Sequence, residues 1–389
     1  HRDLHLSIRR QRQMCIRDRQ KDGGSDTYPK EAAEIMEKDG YPAVNTMLTA
    51  DPPRHTKYRK LVDKAFTPKR VSEMGPAIEE KTNLIIDQFF DEGKCEVASQ
   101  LAQPLPIRVI AEALGASTDD YEFFRISSEA FTDQLSGTST PEEHIEIAKK
   151  LVKFQQYFAE RLKEKEKNPS DDILSDLATL DFEDENNVTR KMETPEQLSI
   201  IQQLLVAGNA TTAHSITEAI KLLIENPDQM ELVINDNSLI PNMVEESLRL
   251  LTPTNNMWRI ATEDTELGGV SIPAGSALML RYGSGNRDED LFENPDSFDV
   301  TRKNARRHIA FGQGIHVCLG MNLSRKEMYT AFPIILNRLK NMRFTEKNDF
   351  NSCLEIISNT PNMQGLNLAK DVSTKKNYFF KETTITDFD

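Results

Sequence analysis

The sequence predicts a mainly α-helical protein with one long central helix and a small β region. Three observations carry this expectation. Up to Leu251, apolar positions recur at helical spacing in one segment after another. From Met257 onward the texture changes to short alternating runs broken by Gly and Pro, as in Leu267-Gly-Gly-Val-Ser-Ile-Pro-Ala-Gly275, which reads as hairpins. No fixed-period repeat or Gly/Pro-rich linker divides the chain, so it reads as one domain.

In chain order the periodicity predicts helices over 72–91, 101–114, 121–135, 141–165, 171–180, 195–224 and 229–251. The helix from Pro195 has the sharpest boundaries. Thr194 is placed to cap it, Pro195 suits its first turn, Gln197 sits at the acceptor position of a capping box, and Asn226-Pro227 ends it. At about 1.5 Å per residue it runs roughly 45 Å. Its middle, Ala207-Gly208-Asn209-Ala210-Thr211-Thr212, sets a Gly and two β-branched residues where a helix prefers neither. Broken local rules of that kind often mark function.

The ends read differently from the body. Residues 1–24 are expected to be a non-native or disordered leader, since the run from Arg9 to Arg19 is basic and lacks the central apolar segment of a signal peptide. Residues 25–369 form the expected domain, and 370–389 a loose polar tail.

Composition excludes some roles. A net charge of −14 speaks against nucleic acid, whose phosphates need clustered Lys and Arg. No run of 18 apolar residues exists to span a bilayer, and four cysteines without paired spacing suit a reducing compartment, so a cytoplasmic protein is expected. One basic island interrupts the acidic chain: Arg302, Lys303, Arg306, Arg307, Arg325 and Lys326 stand against the single acid Glu327 in 301–328. An acidic partner protein is expected to dock there, chiefly on Arg306, Arg325 and Lys326, unless Arg302 and Arg307 are used internally.

The same island holds the string His308-Ile-Ala-Phe311-Gly312-Gln-Gly314-Ile-His316-Val-Cys318-Leu-Gly320. Two glycines before a cysteine let the backbone bend tightly and approach a flat ligand, and Gly320 removes a side chain where a following helix is expected to press. A thiolate presented alone suits the axial position of a haem iron. A lone Cys is more often a small buried hydrophobe. Half of a zinc site is the other alternative, but Cys15, Cys95 and Cys353 offer no pair to complete one.

The string is similar to the haem-binding loop of the cytochrome P450 family, Phe-Gly-x-Gly-x-His-x-Cys-x-Gly, with each specified position filled. The resemblance covers about residues 51–365 and implies a P450 fold whose long central helix lies over haem b, with Cys318 as the proximal thiolate. Ala207, Gly208, Thr211 and Thr212 match the family's distal pattern Ala-Gly-x-acid-Thr-Thr, but Ala210 stands where the acid belongs. Gly208 is then expected to leave room for dioxygen. The Thr211 hydroxyl would bond the Ala207 carbonyl and hold a proton-relaying water, with water or, less directly, Asn209 replacing the acid.

His55 and Arg59, four apart after Asp51-Pro-Pro, match the family's propionate ligands, as do Arg259 and His308. Glu246 and Arg249 match Glu-x-x-Arg, and Arg302 supplies a second guanidinium for a structural triad. Family members carry more chain ahead of the His55 helix, so a truncated N-terminus is expected.

The implied reaction is insertion of one atom of O2 into a hydrophobic small molecule such as a terpenoid, fatty acid or steroid, with electrons from NAD(P)H through a separate reductase and ferredoxin. Substrate contacts are expected from 132–140, 206–211, 254–257 and 358–360. Two alternatives stand beside it: a peroxide-driven haem enzyme, which would explain the missing acid, and a catalytically inactive haem-binding fragment.

Overall fold

A computed structural model describes residues 29–136 and 139–344 and the backbone of 384–386. The leader expected over 1–24 and the substrate segment 358–360 lie outside these residues. Twelve helices carry the argument: α1 Lys30–Asp39, α2 Arg54–Val62, α3 Pro68–Glu73, α4 Gly75–Asp87, α5 Pro104–Leu114, α6 Tyr121–Ser136, α7 Pro141–Lys167, α8 Ile173–Thr179, α9 Thr194–Glu225, α10 Pro227–Asn235, α11 Ile240–Leu251 and α12 Met321–Arg338.

The central helix is α9. Its 32 residues span about 48 Å at roughly 1.5 Å per residue. It packs against α5, α6, α7, α11 and α12, and apolar residues are buried on several of its sides. The cap lies one residue earlier than expected. Glu193 is the N-cap, and Glu196 rather than Gln197 returns a carboxylate to its backbone N–H at 2.6 Å. Gln197 instead donates to the Leu177 carbonyl at 2.9 Å and ties α9 to α8. The expected stop at Asn226-Pro227 is where the helix ends.

Three other expectations need correction. The stretch 229–251 is two helices, because Asp236 leaves the helical conformation and caps a new turn through its bond from the Ser238 N–H at 2.9 Å. The expected 72–91 helix is broken at Met74: its first two residues end α3, whose N-cap Thr67 accepts from the Arg70 N–H, and the rest is α4, which stops at Asp87. Thr384–Thr386, inside the tail expected to be loose, forms β9. It pairs antiparallel with β1 (Lys94–Glu96) on one side and β8 (Arg343–Phe344) on the other.

The hairpin region is as its texture indicated. β4 (Asn256–Ile260) pairs antiparallel with β7 (Ala277–Arg281), placing Arg259 opposite Leu278. Between them β5 (Thr265–Leu267) and β6 (Val270–Ile272) meet through Gly268 and Gly269, both left-handed at φ 58° and 81°, the geometry a two-residue hairpin turn demands. β2 (Asp181–Glu183) and β3 (Thr189–Lys191) form a further ribbon near α2. One buried apolar cluster runs from Met47 to Met342 through the helical body. Among the described residues no helix is long and apolar enough to cross a membrane.

Candidate functional site

The cysteine loop is folded by its own backbone. The Gly312 N–H donates to the Ile309 carbonyl at 2.9 Å, the Cys318 N–H returns to the Phe311 carbonyl at 2.9 Å, and the Val317 N–H reaches the Gly314 carbonyl at 3.1 Å. Gly312 and Gly314 hold φ of 68° and 83°, left-handed conformations that a side chain would strain. Gly320 is different from expectation. A Cβ there would meet no atom within 4 Å, so what it preserves is open space and not contact with α12.

Cys318 keeps a solvent-accessible thiol although protein surrounds it. Burial pushes its pKa up, while backbone N–H groups of Gly320 and Met321 and the charges of Arg59 and Arg325 favour the thiolate. Burial outweighs them, so the thiol stands above its ordinary value.

Around the loop gathers a cationic cradle. His55 is buried on α2, and the His55 and His316 rings meet at 4.3 Å between centroids. Burial and the nearby Arg59 lower the His55 pKa. His316 is lowered to about 4 by burial first, then by His55, Arg259 and Arg59. These four side chains therefore sit within electrostatic reach of one another. Arg259 is buried on β4, and its Nη1 donates to the Trp258 carbonyl at 2.8 Å. Arg59 Nε is paired to Asp63 at 2.8 Å. Both ring nitrogens of His55 and Nε2 of His316 are buried without a hydrogen-bond partner among the described residues. Convergent positive charge and unmet nitrogens make a site that an anionic group would complete.

On α9, Thr211 Oγ1 donates to the Ala207 carbonyl at 3.0 Å, as the four-residue spacing predicts. Ala207 is exposed although it sits mid-helix in the body of the protein, so the side of α9 it shares with Thr211 faces open space. The space beside Gly208 is bounded by α5. A Cβ on Gly208 would stand 3.5 Å from Ile110 Cγ1, ordinary contact with α5. Asn209, the suggested substitute for the acid, lies on the opposite side of the helix. It is buried, and its Nδ2 donates to Ser128 Oγ of α6 at 2.9 Å.

The triad is complete and buried. Glu246 and Arg249 are wholly buried, and Arg249 meets both carboxylate oxygens at 2.8 Å. Arg302 Nε adds a bond at 2.9 Å. The two guanidiniums then donate to the carbonyls of Asn286, Glu293, Asn294, Pro295 and Ser297. Asn286 Oδ1 accepts from the Ile309 N–H at 2.7 Å, which carries the bracing into the cysteine loop.

A sequence profile described as Cytochrome P450 matches residues 21–364. The 6-deoxyerythronolide B hydroxylase of Saccharopolyspora erythraea is 37% identical over 319 residues, 80% of this chain and 76% of the relative. A steroid C26-monooxygenase of Rhodococcus jostii is 36% identical over 317 residues, 81% of this chain and 63% of the relative. The crystal structure of the Tepidiphilus thermophilus P450 heme domain superposes with a TM-score of 0.79 at 28% identity, covering 90% of this chain and 83% of the other.

The chain belongs to the cytochrome P450 family. It is an oxidoreductase of a family built on haem iron, and its fold is the P450 fold. The residues present fit that group: the one exposed cysteine among the described residues on a glycine-bent loop, open space at Gly320 and Ala207, and a cradle of two arginines and two imidazoles with unmet nitrogens.

Two expectations about this P450 are corrected by the geometry. His308 does not offer a free donor to a propionate: its Nδ1 accepts the Ala310 N–H at 3.1 Å and its Nε2 lies 3.2 Å from Glu245 Oε2. Arg325 is not a surface residue. It is buried, and donates to both oxygens of Glu245 at 2.7 Å. Of the three cations expected to receive a partner protein, Arg306 is exposed and Lys326 half-buried. Glu245, Tyr329 and Arg325 form a cluster that sequence reasoning missed. The adjacent acids Glu245-Glu246 were its one visible signal.

Proposed function

We propose that this chain is a haem b thiolate monooxygenase that inserts one atom of O2 into a hydrophobic small molecule, with NAD(P)H electrons arriving through a separate ferredoxin and reductase. The observation that carries the reading is Cys318, the one exposed cysteine among the described residues, on a glycine-bent loop beside the cradle of His55, Arg59, Arg259 and His316. When bound, the haem supplies the redox chemistry that activates dioxygen.

The protein residues have separable tasks in this reading. Cys318 ligates the iron, with Phe311, Gly312, Gly314 and Gly320 shaping the loop around it. His55, Arg59, Arg259 and His316 hold the propionates, a charge-assisted arrangement in a partly desolvated site. Thr211, anchored on the Ala207 carbonyl, orients a water for proton delivery. Glu246, Arg249 and Arg302 brace the loop. Arg306, exposed beside the loop, receives the electron donor, assisted by Lys326. Relatives that include a macrolide-type hydroxylase and a steroid monooxygenase favour a bulky apolar substrate met by 206–211 and 254–257.

A second reading is favoured by one residue. Ala210 occupies the acid's position, and a peroxide-driven reaction brings its own protons. Product formed with hydrogen peroxide, and none with ferredoxin, reductase and NADPH, would select it. The reduced, carbon-monoxide-bound spectrum tests both. Thiolate ligation places that band far to the red of histidine ligation, and Cys318→His should abolish the red position. An unchanged spectrum in the variant would end the assignment of Cys318.

A further inference from the structure

Behind the cysteine loop lies a second buried ion cluster that the triad does not include. Arg325 of α12 holds Glu245 of α11 by two parallel bonds at 2.7 Å, the Tyr329 hydroxyl donates to the same carboxylate, and His308 lies 3.2 Å from it. On its other side the Arg325 guanidinium lies 4.7 Å over the Phe311 ring. The Phe311 carbonyl accepts the Cys318 N–H at 2.9 Å, so the guanidinium is one residue's ring away from the backbone that holds the cysteine. The cation thus sits between the cysteine loop and the anion that neutralises it.

We propose that Arg325 and Glu245 are positioning residues that set the reduction potential of the iron held by Cys318. The inference rests on Cys318 being the haem ligand. Reduction of the iron adds one electron to a centre already bearing the thiolate charge. A buried cation nearby stabilises that added charge and a buried anion opposes it, because neither is screened as it would be in water. Paired, the two nearly cancel. Bracing alone would give no sign to the effect, whereas electrostatics requires opposite signs for the two residues.

The test uses the haem-loaded full chain and a spectroelectrochemical titration, with the reduced-CO band recorded on each protein. Arg325→Gln leaves the carboxylate uncompensated and should lower the potential. Glu245→Gln leaves the guanidinium and should raise it. Tyr329→Phe removes a hydrogen bond but no charge, and should shift it less than either. Shifts in one direction for both charge variants, or potentials equal to the parent, overturn the proposal. Should Arg325→Gln fail to load haem, Arg325→Lys keeps the charge and should titrate near the parent while Glu245→Gln still rises. A lysine variant that falls, or a glutamine variant that does not rise, overturns it equally. A parent without the thiolate band removes the haem-ligand reading and this inference together, whereas a normal band with unmoved potentials removes only the inference.

Discussion

The His55 and His316 rings face one another at 4.3 Å between centroids, tilted by 57°, the first on α2 and the second two residues before Cys318. Two imidazoles this close, with Arg59 and Arg259 in electrostatic reach, repel additional protons and attract an anion. His55→Ala should therefore weaken haem binding by about 10- to 100-fold, the worth of one charge-assisted bond of roughly 1.5–3 kcal/mol. Haem titration of the apoprotein measures it. Affinity equal to the parent would place the propionates elsewhere.

Glu246→Ala should strand Arg249 and Arg302 as buried unpaired cations, at a cost of about 3–5 kcal/mol. Soluble expression and the melting temperature report it. A variant that folds and melts like the parent would deny the triad its bracing role.

With alanine at position 210, the parent should divert part of its NADPH to peroxide. Ala210→Asp should raise product formed per NADPH, since a positioned acid contributes about 10²- to 10⁴-fold to a proton transfer and water recovers part of that. Thr211→Ala should lower it by removing the hydroxyl bound to the Ala207 carbonyl. If the parent is tightly coupled and the acid loosens it, Ala210 shapes the substrate pocket instead.

Two buried carboxyls should tilt stability with pH in opposite directions. Bonds from His308, Arg325 and Tyr329 outweigh burial at Glu245 and hold its pKa down to about 2. Its contribution is complete above the ordinary value of 4.5 and fades as pH falls from there toward 2. Glu327 is buried with Oε2 unpartnered, and burial pushes its pKa well up. Its contribution is complete below 4.5 and is lost as pH rises toward the shifted value. Glu327→Gln should therefore melt higher than the parent at pH 8 and alike at pH 4, while Glu245→Gln should flatten the acid limb. Melting curves across pH 3–9 separate the two, and a Glu327 variant that loses stability at pH 8 would contradict the argument.

What could be read from the chain divides by sequence distance. Pro195 and Asn226-Pro227 bound α9 by local backbone chemistry, and the alternation after Met257 gave β4 and β7 because strands need only their own pattern. The Arg302 pairing and the cysteine loop were legible through motif spacing. The Glu245 cluster was not, because its partners His308, Arg325 and Tyr329 stand far along the chain and Arg325 looks like any cation of a basic surface. Asn209 misled for a related reason: its side is fixed by Ser128 on another helix. The break at Asp236 was hidden because apolar periodicity continues across it.

The path from Asn286 to Arg302 contains no strand and no α-helix, and five of its carbonyls are held by two guanidiniums. A ladder is replaced there by side chains. The segment's backbone therefore depends on α11 through Arg249, which holds three of its carbonyls from far along the chain. Amide exchange across 286–302 should therefore accelerate as a block when Arg249 is replaced, while α9 keeps its protection, and the cysteine loop, tied through Asn286 to Ile309, should be the next segment to open.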